Sequence, residues 1–119
     1  MKEYVLIFRT SPNPDFKPSA EQQNQMMTSW MNWMGNIEKE GKLANRGTRL
    51  GISNSKVVKA NNVVTNGPFT EIKEFINGFI IVKVNDIDEA VNIAKQNPMI
   101  TGGGGNIEIR PAVSPDDTN

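Results

Sequence analysis

Two stretches of this chain are apolar without alternation. Tyr4-Val5-Leu6-Ile7-Phe8-Arg9 and Gly78-Phe79-Ile80-Ile81-Val82-Lys83-Val84 carry β-branched, aromatic and aliphatic side chains at odd and even positions alike. Strands that are covered on both faces read this way. The second stretch is the stronger and is expected at the centre of a sheet. Between them, Ser19-Ala20-Glu21-Gln22 fits a capping box, with the Ser19 hydroxyl accepting from the backbone N–H three residues on and Gln22 reaching back. The helix it opens is expected to run to about Glu40, where Gly41 supplies a left-handed C-terminal residue. Met26, Trp30, Trp33, Met34 and Ile37 make one apolar stripe at helical spacing. Met27 and Met31 widen it, which fits either a contact with a partner subunit or methionines filling an irregular core.

The remaining pattern is weaker but ordered. Thr10 to Pro18 holds three prolines and reads as a loop. Lys42 to Leu50 is a second strand whose alternation does not say which side chains face inward. Lys56-Val57-Val58-Lys59 and Asn62-Val63-Val64-Thr65 flank Ala60-Asn61 and predict a hairpin, because asparagine tolerates the left-handed conformation of tight turns. Asp86-Ile87-Asp88-Glu89 gives a second capping box. Ile87, Ala90, Val91 and Ala94 mark the buried side of a helix that ends before Pro98. Gly102 to Gly105 connect it to Asn106-Ile107-Glu108-Ile109-Arg110, a cleanly alternating last strand closed by Pro111.

The order β-α-β-(hairpin)-β-α-β predicts an α+β domain of the ferredoxin-like, split βαβ kind, an antiparallel sheet with both helices on one face and an extra hairpin. Its other face is left bare, although both central strands are apolar there. A second copy of the chain is the economical cover, so a homodimer packed through its sheets is expected. Residues 1–113 form the one domain, and 114–119 a polar, frayed tail.

Composition narrows the chemistry. At 119 residues the chain can build one core. Thirteen basic and thirteen acidic side chains cancel, so no long-range field draws nucleic acid or an anionic membrane surface, and neither is expected as a partner. No apolar run approaches the ~20 residues of a membrane helix. The opening Met1-Lys2-Glu3-Tyr4 goes directly into a strand without a signal-like segment, and a cytoplasmic location is expected. Cysteine and histidine are both absent. That excludes a thiolate nucleophile or metal site and removes the commonest general acid/base and metal ligand.

Asn66-Gly67-Pro68-Phe69-Thr70-Glu71-Ile72-Lys73-Glu74, Gly78-Phe79, Asp86-Ile87-Asp88-Glu89-Ala90, Asn97-Pro98 and Ile107-Glu108-Ile109-Arg110-Pro111 follow one another in an order that resembles the DGPF proteins of the YCII-related family. The resemblance spans nearly the whole domain. It implies a dimeric α+β barrel, two ferredoxin-like subunits enclosing a cleft between their open sheet faces. In the broader group a histidine and an aspartate meeting in that cleft have suggested enzymes. This chain has no histidine, and Asn66 stands where the motif has aspartate. The resemblance therefore carries no acid/base pair to this sequence.

Candidate site residues follow from turn and strand geometry. Asn66 and Gly67 either present an amide side chain and a free backbone N–H to a ligand or simply build a tight turn. Glu108 and Arg110 share the strand face opposite Ile107 and Ile109. If the isoleucines pack on the helices, this charged pair faces the dimer cleft, where an arginine can hold a carboxylate. Alternatively it is a rim ion pair or a charged edge. Arg9, Arg46 and Arg49 invite the same ligand reading. Trp30 and Trp33 line either a pocket or the core. Gly102 to Gly105 precede a strand, whereas phosphate-cradling loops precede a helix, so they read as a connector. Asp86, Asp88 and Glu89 are explained by capping, and Glu71, Lys73 and Glu74 by a solvated face. No metal and no cofactor is expected. The leading expectation is a non-catalytic homodimer whose interface cleft binds a small molecule or a partner. The alternatives are a lyase or isomerase using Glu108 or Tyr4 for proton transfer, and an interaction protein in transcriptional regulation, since the resemblance implies a link with alternative sigma factors.

Overall fold

The computed structural model of the chain describes residues 1–11, 17–67 and 75–116. Most of the proline loop, the Pro68-Phe69 half of the turn motif with Thr70 to Glu74, and the end of the tail lie outside the described residues. The elements run β1 (Lys2–Thr10), α1 (Ala20–Lys39), β2 (Leu43–Arg49), β3 (Lys56–Lys59), β4 (Val63–Asn66), β5 (Phe75–Val84), α2 (Ile87–Lys95), α3 (Pro98–Thr101) and β6 (Asn106–Pro111). Four strands form an antiparallel sheet in the order β2-β5-β1-β6. That is the ferredoxin-like order, with the two-stranded β3-β4 hairpin inserted between β2 and β5.

The helices start and stop where their caps dictate. Both halves of the Ser19 capping box form: Ser19 Oγ accepts from the Gln22 N–H at 3.1 Å, and Gln22 Oε1 accepts from the Ser19 N–H at 2.9 Å. Helix α1 ends as Gly41 takes a φ of 72°. Asp86 caps α2 by accepting from the Glu89 N–H, but Glu89 reaches back to the N–H of Asn85, one residue before the cap. The second box is thus displaced, because Asn85 is the donor that the bend before α2 turns toward the helix.

The core lies between the helices and one sheet face. Tyr4, Leu6 and Phe8 from β1 and Ile80, Val82 and Val84 from β5 pack under Trp33, Met34 and Ile37 of α1 and Ala90 and Ala94 of α2, with Ile107 and Ile109 alongside. Phe8, Trp30 and Trp33 meet edge to face, with ring centroids 4.9 to 6.0 Å apart. The Trp33 indole N–H donates to the Ile93 carbonyl at 2.9 Å, tying α1 to the last turn of α2.

Two expectations about burial are corrected. Met26, Met27 and Met31 stay more than half exposed, so the stripe that packs inward is narrower than its apolar composition. Ile87, the first residue of α2, is also exposed, and the helix buries Ala90 and Ala94 instead. Helix α3 was not foreseen, although Asn97-Pro98 carries its signal. A buried Asn97 accepts from the Met99 N–H at 2.8 Å as N-cap, and Pro98 occupies the first turn.

Strand β2 explains its own weak alternation. Its register with β5 shifts between Leu43 and Asn45 and again between Asn45 and Thr48. Gly47 sits in the second irregularity at a φ of 62°, its N–H accepted by Asn45 Oδ1 at 2.7 Å. A Cβ there would lie 1.6 Å from the Phe79 carbonyl oxygen. Gly47→Ala is therefore expected to lower stability by about 2 kcal/mol or more through strain and steric conflict. A urea-unfolding midpoint equal to that of the wild type would contradict this account of β2.

Candidate functional site

The sheet has one covered face and one bare face, and strand parity assigns residues to each. In register, Glu108 of β6, Ile7 of β1, Phe79 of β5 and Thr48 of β2 make one row across the bare face. Arg110, Val5, Ile81 and Asn45 make the next. Val5, Ile7, Phe79 and Ile81 are half-buried, and among the described residues no helix lies above them. They form an apolar floor.

Charge borders that floor on the β6 side. Between Phe8 and Arg9 the β1-β5 register slips by one residue, and Arg9 pairs across to Ile76 and Asn106. The extra residue, Asn77, lies in β5, while the β1-β6 register stays regular and sets Arg9 diagonally across from Glu108 on one face. Arg9 then donates from Nε at 3.1 Å and from Nη2 at 2.7 Å, both to Glu108 Oε1. Both partners keep about a third of their side-chain surface, at 32% and 38%, so the bond orients them more than it stabilises the fold. Arg110 Nε lies 3.8 Å from Glu108 Oε2, outside hydrogen-bond distance, and the Arg110 side chain is 66% exposed. Two guanidinium groups thus stand against one carboxylate, and Arg110 retains hydrogen-bonding capacity for another acceptor.

The expected site residues separate into those the fold brings together and those it does not. Arg9, Glu108 and Arg110 share the bare face, and Ile107 and Ile109 do pack toward the helices. Arg46 does not join them: it pairs with Glu38 of α1, on the helical side of the sheet edge. Arg49 pairs with Gly78 and follows the same side. Tyr4 is 7% exposed and belongs to the core row with Leu6 and Phe8. It lies on the opposite face from Glu108, so of the two alternatives for proton transfer Glu108 is the one on the bare face. Asn66 and Gly67 sit on the hairpin. Asn66 Oδ1 accepts from Lys56 Nζ at 2.7 Å. The Gly67 N–H donates to the Ser55 carbonyl, with Gly67 at a φ of 73°. The backbone N–H that one of the two readings offered to a ligand instead extends the β3-β4 ladder by one step. The Arg9–Glu108 bond joins residues 99 apart in sequence, and no local motif signals it.

A family model of the YCII-related domain matches residues 3–113. The chain belongs to the YCII-related family. Among solved structures, this YCII-related chain is similar to 5-chloro-2-hydroxyhydroquinone dehydrochlorinase from Burkholderia phenoliruptrix, solved as its complex with 2,5-dihydroxybenzoquinone. The identity is 16% over 90% of each chain, with a TM-score of 0.49. The search of curated proteins found no match. Among the described residues, no helix of the YCII-related chain is long and apolar enough to cross a membrane.

A second polar group lies on the helical side. Lys42, just after α1, bridges Glu89 at 3.0 Å and Glu40 at 3.2 Å at one end of a groove between α1 and α2. The Asn85 N–H, and then Lys42, hold the Glu89 carboxyl below its ordinary range. Bonds from Glu89 and Glu40 hold the Lys42 ammonium above its own. A carboxylate with a depressed folded-state pKa contributes stability above its unfolded pKa and loses that contribution as pH falls through the folded value. Glu89→Gln is expected to lower the Tm at neutral pH, with the gap to the wild type closing as pH is taken down through the carboxylate range. A gap of constant size from pH 7 to pH 3 would show that Glu89 acts by packing alone.

Proposed function

We propose that this YCII-related chain acts as a homodimer whose two bare sheet faces meet around a cleft that binds a small anionic molecule with an apolar body. One observation carries the reading: a four-residue apolar floor, Val5, Ile7, Phe79 and Ile81, lies uncovered among the described residues beside a fixed Arg9–Glu108 pair and an exposed Arg110 whose Nε is 3.8 Å from the same carboxylate. Apolar area removed from water contributes roughly 25 cal/mol per Å², and a stable interface needs about 800 Å² from each partner. The bare face of the four-stranded sheet, with the apolar floor at its centre, is the surface proposed to supply it. In a twofold assembly each floor rests on the other, and the β6 charges line the margin where a cleft opens.

The margin is suited to binding. Arg9 holds Glu108 from one side, so the carboxylate is an acceptor fixed in place, and Arg110 has a planar donor fork to offer to a carboxylate or phenolate. A lyase or isomerase would have to draw on Glu108 without the help of Tyr4, which the core takes. A role in transcriptional regulation has support only in the family resemblance.

Sedimentation velocity at micromolar concentration is expected to give a dimer, and Ile7→Asp or Phe79→Asp a folded monomer by circular dichroism. Native mass spectrometry of protein purified from its own host is expected to find a dimer carrying a small molecule, retained less by Arg110→Ala. A wild-type monomer in both measurements would sink the proposal.

A further inference from the structure

Asparagine is followed by glycine twice in this chain, at Asn66-Gly67 and at Asn77-Gly78. Such a pair has a chemistry of its own. Glycine has no Cβ to shield its N–H, so once that proton is lost its nitrogen can attack the carboxamide carbon of the preceding asparagine. The cyclic imide that forms has lost ammonia, and water opens it to aspartate or isoaspartate. The fold decides which of the two sites is free to react.

Asn77 is locked. It is the extra residue in β5, a strand paired on both sides, with β1 and with β2. Its Nδ2 donates to Thr10 Oγ1 at 2.8 Å, its Oδ1 is shielded from water, and its carbonyl accepts from the Leu50 N–H at 2.7 Å. Gly78 is buried, and a Cβ on it would lie 2.6 Å from the Thr48 carbonyl oxygen. Turning the Gly78 nitrogen onto the Asn77 carboxamide would mean breaking these contacts within the main sheet.

Asn66 is the opposite case. It ends β4 in a two-stranded sheet on which neither the described helices nor the main-sheet strands pack extensively. A hairpin of two strands is marginally stable by itself in water, and segments with few buried contacts open locally far more often than core strands do. The bond from the Gly67 N–H to the Ser55 carbonyl lies one rung beyond the Lys56–Asn66 pair and is the outermost described rung of the ladder. Asn66 is exposed, and its Oδ1 accepts from Lys56 Nζ at 2.7 Å. An ammonium placed there draws electron density from Cγ and stabilises the negative oxygen that develops when a nucleophile adds.

We propose that Asn66 is a site of spontaneous deamidation directed by the fold, that the Lys56 ammonium assists the reaction, and that Asn77 is spared. Fraying of the Ser55–Gly67 rung releases the Gly67 N–H while Lys56 still holds the carboxamide. Hydroxide takes the proton, the Gly67 nitrogen bonds to Asn66 Cγ, and the Cγ–Nδ2 bond breaks as Nδ2 leaves as ammonia. Water then adds at one of the two imide carbonyl carbons and the ring opens. The balance is asparagine and water to aspartate or isoaspartate and ammonia, with nothing oxidised or reduced. The product carries a carboxylate beside Lys56 and tips a chain of thirteen basic and thirteen acidic side chains to a net negative charge.

Cleavage by trypsin after Lys59, Lys73 and Lys83 puts the two sites on separate peptides, 60–73 and 74–83. After days at mildly alkaline pH the folded protein is expected to gain an acidic form in isoelectric focusing. Fragment spectra are expected to show the mass of aspartate in place of asparagine at residue 66, with peptide 74–83 unchanged. In guanidinium chloride both asparagines are expected to convert at similar rates, because the fold no longer separates them. Lys56→Met is expected to slow conversion at residue 66 several-fold in the folded protein and to leave the rate in denaturant unchanged. Conversion of Asn77 alongside Asn66 in the folded protein, or of neither, overturns the proposal. A folded-state rate at Asn66 that Lys56→Met does not lower overturns the part given to Lys56.

Discussion

Strands β1 and β5 pair down the middle of the sheet, and the rest of the molecule depends on how their side chains divide between two faces. Leu6 sits opposite Ile80 and Tyr4 opposite Val82, while Ile7 sits opposite Phe79 and Val5 opposite Ile81. The first set is buried under α1 and α2, and among the described residues no layer lies above the second. A sheet in which both sets are apolar gains from burying each. One helical layer satisfies half of that demand, and the sheet-face dimer and its cleft are proposed to answer the other half.

The charged margin follows from the same strand pairing. Strand β6 lies at the sheet edge next to β1, so its outward row, Glu108 and Arg110, stands beside the apolar floor instead of within it. The regular register of β1 with β6 sets Arg9 diagonally across from Glu108 on that face, and the two meet. Arg110 is left with little of its hydrogen-bonding capacity used. On the other side of the sheet, Lys42 and the acidic groups near it serve the packing of α1 and α2. Charges of similar appearance in the sequence thus have different work according to which face their strand or helix presents.

Several elements were legible because their signals are local. The Ser19 box, the Gly41 helix end, the hairpin around Asn61 and the alternation of Ile107 to Arg110 each depend on residues within a few positions of one another, and each is found where the pattern puts it. The family is legible for the same reason: a handful of short ordered segments spans the domain matched over residues 3–113. Facing was less legible. Strand β2 has two register irregularities, so period-two reasoning fails along it, and Arg46 lies with Glu38 of α1 instead of with Arg9. Tyr4 belongs to an unalternating run in which odd and even positions look alike, and only the helices above decide that the even ones are core.

The sequence by itself determined the order of the strands and of helices α1 and α2, the Ser19 and Asp86 N-caps, the neutrality of the chain and, through the lack of histidine and cysteine, which chemistries are closed to it. These are matters of residue type and short spacing. Tertiary structure alone decided that Arg9 and Glu108 meet and that Tyr4 is turned away from them. Each of those depends on strand register and on which face a layer covers. Both are set by cooperative packing between segments far apart in the chain, which no local pattern encodes.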